Sequence, residues 1–420
     1  MQQEEQDKTP VDAANSSDRQ RKLERQPDFD AALRRPRGPL RWLALGRPLS
    51  RGLWQALGDG YLRGDGPADR LVAWMATAGP ARVHPLLARA LRDGIASVSE
   101  APPPLRAFFD EVEARPAWLD EALLRRGALT CQRAGVAAHH ALRDGGLMPG
   151  YLAAPINQTL LLTGALERGA RRRLGETMQW WLDCTEVGGM ARGASGFRST
   201  LHVRLMHAFV RRRVGQMPQW RADAWGVPVS QSDMAGTYLV FAVAFLVGLR
   251  VLGVPVTAAD ARAVVHLWRY VGWLMGVEDR WLIEDEAAGR FLLLHVALSQ
   301  PEPDESCAVL GRALMDEPLS REYPNLGWLR GPLNRSRHLS VTRLFVSGPQ
   351  LRALGLPRFG VPWYPLLSAP LTLAWHGLHR LLPGGQERLA RSGRARQQAL
   401  LRPQFGQQRP TLVQVLPVPA

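Results

Sequence analysis

Cysteine and lysine are scarce in this chain. Of its 420 residues three are cysteine (Cys131, Cys184 and Cys307) and two are lysine (Lys8 and Lys22). Three widely spaced cysteines with no CxxC pair exclude a disulfide framework, a zinc ribbon and covalent c-type haem attachment, and they fit a reducing compartment. Alternating apolar and polar runs, which would mark strands, are nearly absent, and no repeat of fixed period appears. Walker A, GxSxG, HExxH and Rossmann fingerprints are missing as well, which removes several catalytic classes.

Long apolar runs are equally few. Tyr238 to Leu249 is too short to span a bilayer, and Phe359 to Leu378 is interrupted by Pro362, Pro365 and Pro370. Trp363, Tyr364 and Trp375 in the second run suit either a bilayer interface or the cover of a core. Met1 to Pro27 has no apolar stretch of the secretory kind, so a cytoplasmic protein is expected, with peripheral contact at the inner membrane face as the variant the aromatic run raises.

What is present is apolar mass and arginine. Hydrophobic residues make up 46% and charged residues 22%, enough to bury a core of ordinary density, so wholesale disorder is excluded. The net charge of +15 would ordinarily suggest nucleic acid. Nearly all of the basic residues are arginines dispersed beside Asp and Glu, and dense mixed Lys/Arg blocks are lacking. No nucleic-acid partner is therefore expected.

Apolar spacing of three and four residues predicts helices over 68–78, 81–93 and 105–113, a long helix from Pro116 to Gly145-Gly146, then helices near 151–167, 168–186, 198–215, 231–252, 258–275 and 287–299. Ser230 to Asp233 reads as a cap region. The fold class is all-α. Organisation divides into a solvated tail (1–36), an N-terminal helical segment (37–115), a core (116–300), a C-terminal helical segment (301–383) and a helical or frayed tail (384–420).

Arg204, His207 and Arg211 share a face about 60° wide on one helix whose other positions are largely apolar. A buried Arg–His–Arg face calls for an anionic or metallic partner. Haem satisfies both needs, because a neutral imidazole ligates iron while guanidinium groups pair with propionates. The alternative is a core histidine flanked by arginines paired to carboxylates of neighbouring helices. Arg173, Glu176, Thr177 and Trp180 form a second stripe on the preceding helix, either a pocket wall or an interhelical salt-bridge network. His139-His140 reads as a packing or surface pair, since adjacent side chains point about 100° apart. His266 reads as a core residue or a pocket wall. Glu278, Asp279, Glu284 and Asp285 read as a solvated acidic loop lacking the EF-hand spacing.

Five segments in order carry a resemblance: Pro116-Ala-Trp-Leu-Asp120, Arg173-Leu-Gly-Glu-Thr177, Arg204-Leu-Met-His-Ala-Phe-Val-Arg211, Trp225 to Asp233, and His266 to Val277. Together they resemble the catalytic domain of the rubber oxygenases (latex-clearing proteins) and MpaB-type oxygenases. The resemblance implies a globin-like helical core with additional N- and C-terminal helices. It also implies haem b as cofactor, and dioxygen plus a small apolar, isoprenoid-like molecule as substrates. It makes His207 the axial iron ligand, assigns Arg204 and Arg211 to the propionates or to orienting His207, and places Arg173, Glu176, Thr177 and Asn157 on the distal side. This chain departs from the rubber-cleaving branch in three places. Glu176 stands for a distal lysine, Asn157 for a glutamate proposed as base, and Arg212 for a histidine. Amide nitrogen is no base at neutral pH, so the resemblance implies a different substrate or a non-catalytic haem- or lipid-binding protein.

Overall fold

The computed structural model describes residues 23–35, 43, 46–164 and 169–405. Most of the expected N-terminal tail (1–36) and the last part of the C-terminal one lie outside the described residues. Within them every regular element is helical, as the apolar spacing requires. In chain order these are α1 (Phe29–Arg34), α2 (Arg51–Gly60), α3 (Gly66–Ala78), α4 (Pro80–Asp93), α5 (Pro103–Glu113), α6 (Glu121–Arg133), α7 (Gly135–Leu142) and α8 (Ala154–Leu162). After them come α9 (Ala170–Cys184), α10 (Ser195–Gly215), α11 (Gln231–Val251), α12 (Ala258–Leu274), α13 (Glu286–Leu298), α14 (Glu305–Asp316), α15 (Gly327–Thr342), α16 (Trp363–Leu381) and α17 (Gly385–Phe405).

Starts are set by side-chain caps. Ser230 and Asp233 form a capping box on α11, and Thr257 and Asp260 do the same on α12, each satisfying backbone N–H groups left free in the first turn. Asp65, Asp120 and Asp285 cap α3, α6 and α13.

One expected helix is divided. The stretch from Pro116 to Gly146 begins only at Glu121 and breaks at Gly135, whose φ of 51° lies in the left-handed region that suits glycine. The carbonyls freed at that break are taken by α17. Gln397 Nε2 donates to Cys131 O (2.9 Å) and Gly135 O (3.2 Å), and Gly393 packs so closely that an added Cβ would lie 2.1 Å from Gln132 O. The segment from Gly385 to Phe405 is thus docked on the core by hydrogen bonds that a frayed tail could not make.

Two wider π turns, Arg143–Leu147 after α7 and Val240–Ala244 inside α11, meet at the centre. Gly146 permits this, since a Cβ there would stand 2.5 Å from Val240 Cγ1. A π turn inserts one residue and rotates the side chains beyond it, a distortion frequent near functional sites. α11 is long and apolar enough to cross a membrane, but 56% of its most apolar stretch lies inside the core, so burial accounts for its composition. Phe241 stacks on Trp268 (4.8 Å) and meets Trp180 edge-on (5.1 Å), tying α9, α11 and α12 together.

Candidate functional site

α10 positions the residue on which the site turns. Trp180 Nε1 on α9 donates to Thr200 Oγ1 on α10 at 3.1 Å. Thr200 and His207 are seven residues apart, about two turns, so they share one side of α10. The side that carries His207 is therefore turned in the general direction of α9.

That side is incompletely covered. Leu201, Arg204, Leu205 and Ala208 are at most 1% exposed, whereas Val203, Met206, His207 and Val210 retain accessible surface on the adjoining arc. α8, which lies against α10, likewise leaves Ile156, Leu160 and Leu161 half-buried, and Val240 and Phe241 of the π turn do the same. On α10 itself His207 is therefore flanked by the partly accessible apolar side chains Val203, Met206 and Val210. His207 lies deep in the fold yet keeps accessible surface, as a group bordering an internal space does. Burial, and after it the charge of Arg211, pull its pKa down to about 4 against the opposing pull of Asp65. The ring is neutral at pH 7. Its Nδ1 is buried with no partner, a state that costs about 1–3 kcal/mol when nothing fills it.

The two arginines are not free for an incoming anion. Arg204 donates to both Asp65 oxygens (2.7 and 2.9 Å), to Glu111 (2.8 Å) and to the Leu274 carbonyl (3.3 Å). Arg211 pairs with Asp69 and donates to the Val229 carbonyl (3.1 Å). Arg204 and Arg211, expected to hold propionates or to orient His207, are both paired with carboxylates of the fold. A guanidinium 1–6% exposed requires a carboxylate, and Asp65 and Asp69 at the start of α3, with Glu111 of α5, already supply it. Their effect is to fix α10 against α3 and α5.

The remaining predicted residues separate. Glu176 pairs with Arg172 one turn away (3.0 Å), not with Arg173, and both are partly exposed. Arg173 is half-buried, no ion pair to it occurs among the described residues, and its charge acts on the Tyr151 phenol. Thr177 is exposed. Asn157 is fully buried and turned to α14. Its Nδ2 donates to Tyr151 O (2.7 Å) and Ser306 Oγ (3.2 Å), while its Oδ1 has no partner. This packing holds the amide where its donors are satisfied. His266 Nε2 accepts from the Asp120 backbone N–H (3.0 Å) and its ring meets Trp118, which is the core reading. Glu278 and Glu284 are taken by Arg63, Arg280 and Arg269, as a solvated loop would be.

Sequence reasoning missed a second polar centre. His140 Nδ1 donates to Asp144 Oδ2 (2.7 Å), and His338 Nδ1, some two hundred residues on, donates to the same oxygen (2.8 Å). These atoms lie within 4.8 Å of one another and are the kind of donor set that can hold a cation. Arg143 Nη1, however, donates to Asp144 Oδ1 (2.7 Å), and Arg143 and Arg321 both pair with Glu317. Two guanidinium and two carboxylate groups balance, so the cluster is closed without an ion. Although burial pushes it up, the Asp144 carboxyl is held well below the usual carboxylate range by His338 and Arg143. The i, i+4 spacing of His140 and Asp144 was the available signal.

Three comparisons bear on this arrangement. Residues 133–381, more than half of the chain, match the family described as ER-bound oxygenase mpaB/B'/rubber oxygenase, catalytic domain. The rubber oxygenase of Streptomyces sp. (strain K30) is 26% identical over 252 residues, which are 56% of this chain and 61% of that protein, so the chain spans less than two thirds of its length. The structure of latex clearing protein LCP in the closed state overlays with a TM-score of 0.52 at 19% identity, covering 81% of this chain and 91% of that one, a likeness of fold. The matched span reaches well past Val277, where the resembling segments end, and takes in α16. The chain belongs to the mpaB/rubber oxygenase catalytic-domain family.

Proposed function

We propose that this chain is a haem-b-dependent oxygenase that uses dioxygen on a small apolar, isoprenoid-like substrate. The observation that carries the proposal is His207, a neutral, largely buried imidazole with no partner at Nδ1, flanked on its helix by the partly accessible apolar residues Val203, Met206 and Val210. A flat apolar group with a metal centre would suit that donor set, covering Val203, Met206 and Val210 and drawing on a ring nitrogen of His207. His207 would hold the iron, and Arg173, half-buried and with no ion pair among the described residues, would meet a propionate.

Haem, when bound, supplies the dioxygen and electron chemistry. The chain's own residues supply the rest. Arg204 and Arg211, locked to Asp65, Glu111 and Asp69, keep the helix under His207 from turning. Ile156, Leu160, Leu161 and Phe241 exclude water and favour an apolar substrate. Thr177, exposed beside Glu176, is available to orient a polar atom, and Glu176 can accept a proton once released from Arg172. In this reading Asn157 acts only by fixing α8 against α14.

The test is a visible spectrum of the purified protein. A Soret band that His207→Ala abolishes is expected, and protein that stays colourless after haem reconstitution overturns the assignment. A second reading, binding without turnover, is favoured by one observation: the amide of Asn157 is committed to Tyr151 and Ser306 where the rubber-cleaving branch has a glutamate proposed as base. Dioxygen uptake over a panel of unsaturated terpenoids separates the two, since spectral binding with no uptake supports the second.

A further inference from the structure

α16 reverses the pattern of an ordinary surface helix. Such a helix buries its apolar face and shows charge to water. Here Pro365, His376 and His379 face inward, while Leu366, Leu367, Leu371, Trp375, Leu378 and Leu381 face out, with Leu371 71% and Leu381 84% exposed. At 100° per residue these outward positions cover an arc of roughly 180°, and no charged side chain falls within it. Phe359, 83% exposed, and Val361 extend the surface past the start of the helix. Isolated exposed leucines need no explanation, but a contiguous patch of this extent marks an interaction surface.

Charge decides what the surface meets. Between Tyr323 and Gln386 there are seven arginines (Arg330, Arg335, Arg337, Arg343, Arg352, Arg358 and Arg380) and no aspartate or glutamate. Arg358 and Arg380 stand exposed at either end of the apolar stretch, Arg380 donating to the Pro255 carbonyl (3.1 Å), and Arg343 holds the approach loop by donating to the Pro357 and Phe359 carbonyls. A second copy of this chain would bring arginine against arginine, which opposes self-association. Pro370 inside the helix and its covered inner side suit a helix lying along a surface better than one crossing it.

We infer that the outward face of α16, with Phe359 and Val361, docks on the surface of an anionic phospholipid bilayer, the leucines and Trp375 entering the acyl boundary and the flanking arginines meeting phosphate. This inference stands apart from the haem reading and shares no residue with it.

Vesicle flotation of the full chain tests it. Binding to phosphatidylglycerol–phosphatidylcholine vesicles is expected to exceed binding to pure phosphatidylcholine by at least about tenfold and to weaken with salt. Leu367→Glu/Leu371→Glu/Leu378→Glu is expected to abolish flotation with its circular dichroism unchanged, and Arg358→Gln/Arg380→Gln to remove the salt-dependent part. Quenching of tryptophan fluorescence by brominated lipid, present in the parent protein and reduced in Trp375→Phe, gives a readout that does not depend on the triple variant folding. His207→Ala is expected to float like the parent protein, so the two readings fail separately. Failure of the parent protein to float, a triple variant that floats equally well, or a dimer that the triple variant dissociates with no lipid binding would each overturn the inference.

Discussion

The buried cluster around Asp144 and the surroundings of His207 are built from the same side chains, arginine, histidine and carboxylate, and use their imidazoles differently. Around Asp144 the groups close on one another. Asp144 accepts from His140, His338 and Arg143, and Glu317 accepts from Arg143 and Arg321, leaving His139 as the unpartnered member. Beside His207 the arginines are just as fully paired, but the imidazole is not. Buried polar groups that satisfy each other hold a structure together, whereas an imidazole without a partner adds nothing to that hold.

Mutation can break that contrast. His207→Ala should remove haem absorbance completely while changing the unfolding free energy of the haem-free protein, from urea titration, by less than about 1 kcal/mol, because it deletes a group that has no partner. Asp144→Ala should do the reverse, costing about 3–5 kcal/mol in urea unfolding with the Soret position of whatever folds unchanged, because it strands two imidazoles and a guanidinium. Equal effects of both on stability would erase the distinction.

Smaller substitutions sharpen it. Asp65→Ala should cost about 3 kcal/mol, since Arg204 beside it is 1% exposed, and Glu111→Ala under about 1 kcal/mol, since Glu111 is 40% exposed on the same guanidinium. Acid should also distinguish the sites. The folded-state pKa of His207, about 4, lies below the unfolded value near 6.5, so the unfolded chain binds the extra proton and stability falls as pH drops from about 6.5 towards 4. His139 and His338 are pushed the same way, so His207→Ala should flatten only its own share of that slope in unfolding curves across the window. Glu176→Gln should cost no more than about 0.5 kcal/mol, the worth of an exposed i, i+4 pair.

Much of this was readable from residue order, and the misses share one cause. Helices over Ser195–Gly215 and Ala258–Leu274, and the cap at Ser230–Asp233, follow from spacing and capping chemistry that act within a few residues. The face shared by Arg204, His207 and Arg211 was legible for the same reason. What those arginines touch was not, because Asp65 and Asp69 lie some 140 residues away in sequence. His140 and His338 could not be joined from sequence for the same reason, and α17 looked like a tail because the carbonyls it satisfies belong to a break near Gly135.

By itself the order of residues determined an all-α chain, an apolar helix bearing one histidine between two arginines, and an apolar, arginine-flanked run near the C-terminus. Local propensity and periodicity operate over one or two turns, and they suffice for that. Tertiary structure alone decided which polar groups found partners and which apolar face was left uncovered. Both depend on what another helix brings to the same place, and no pattern within a single helix records it.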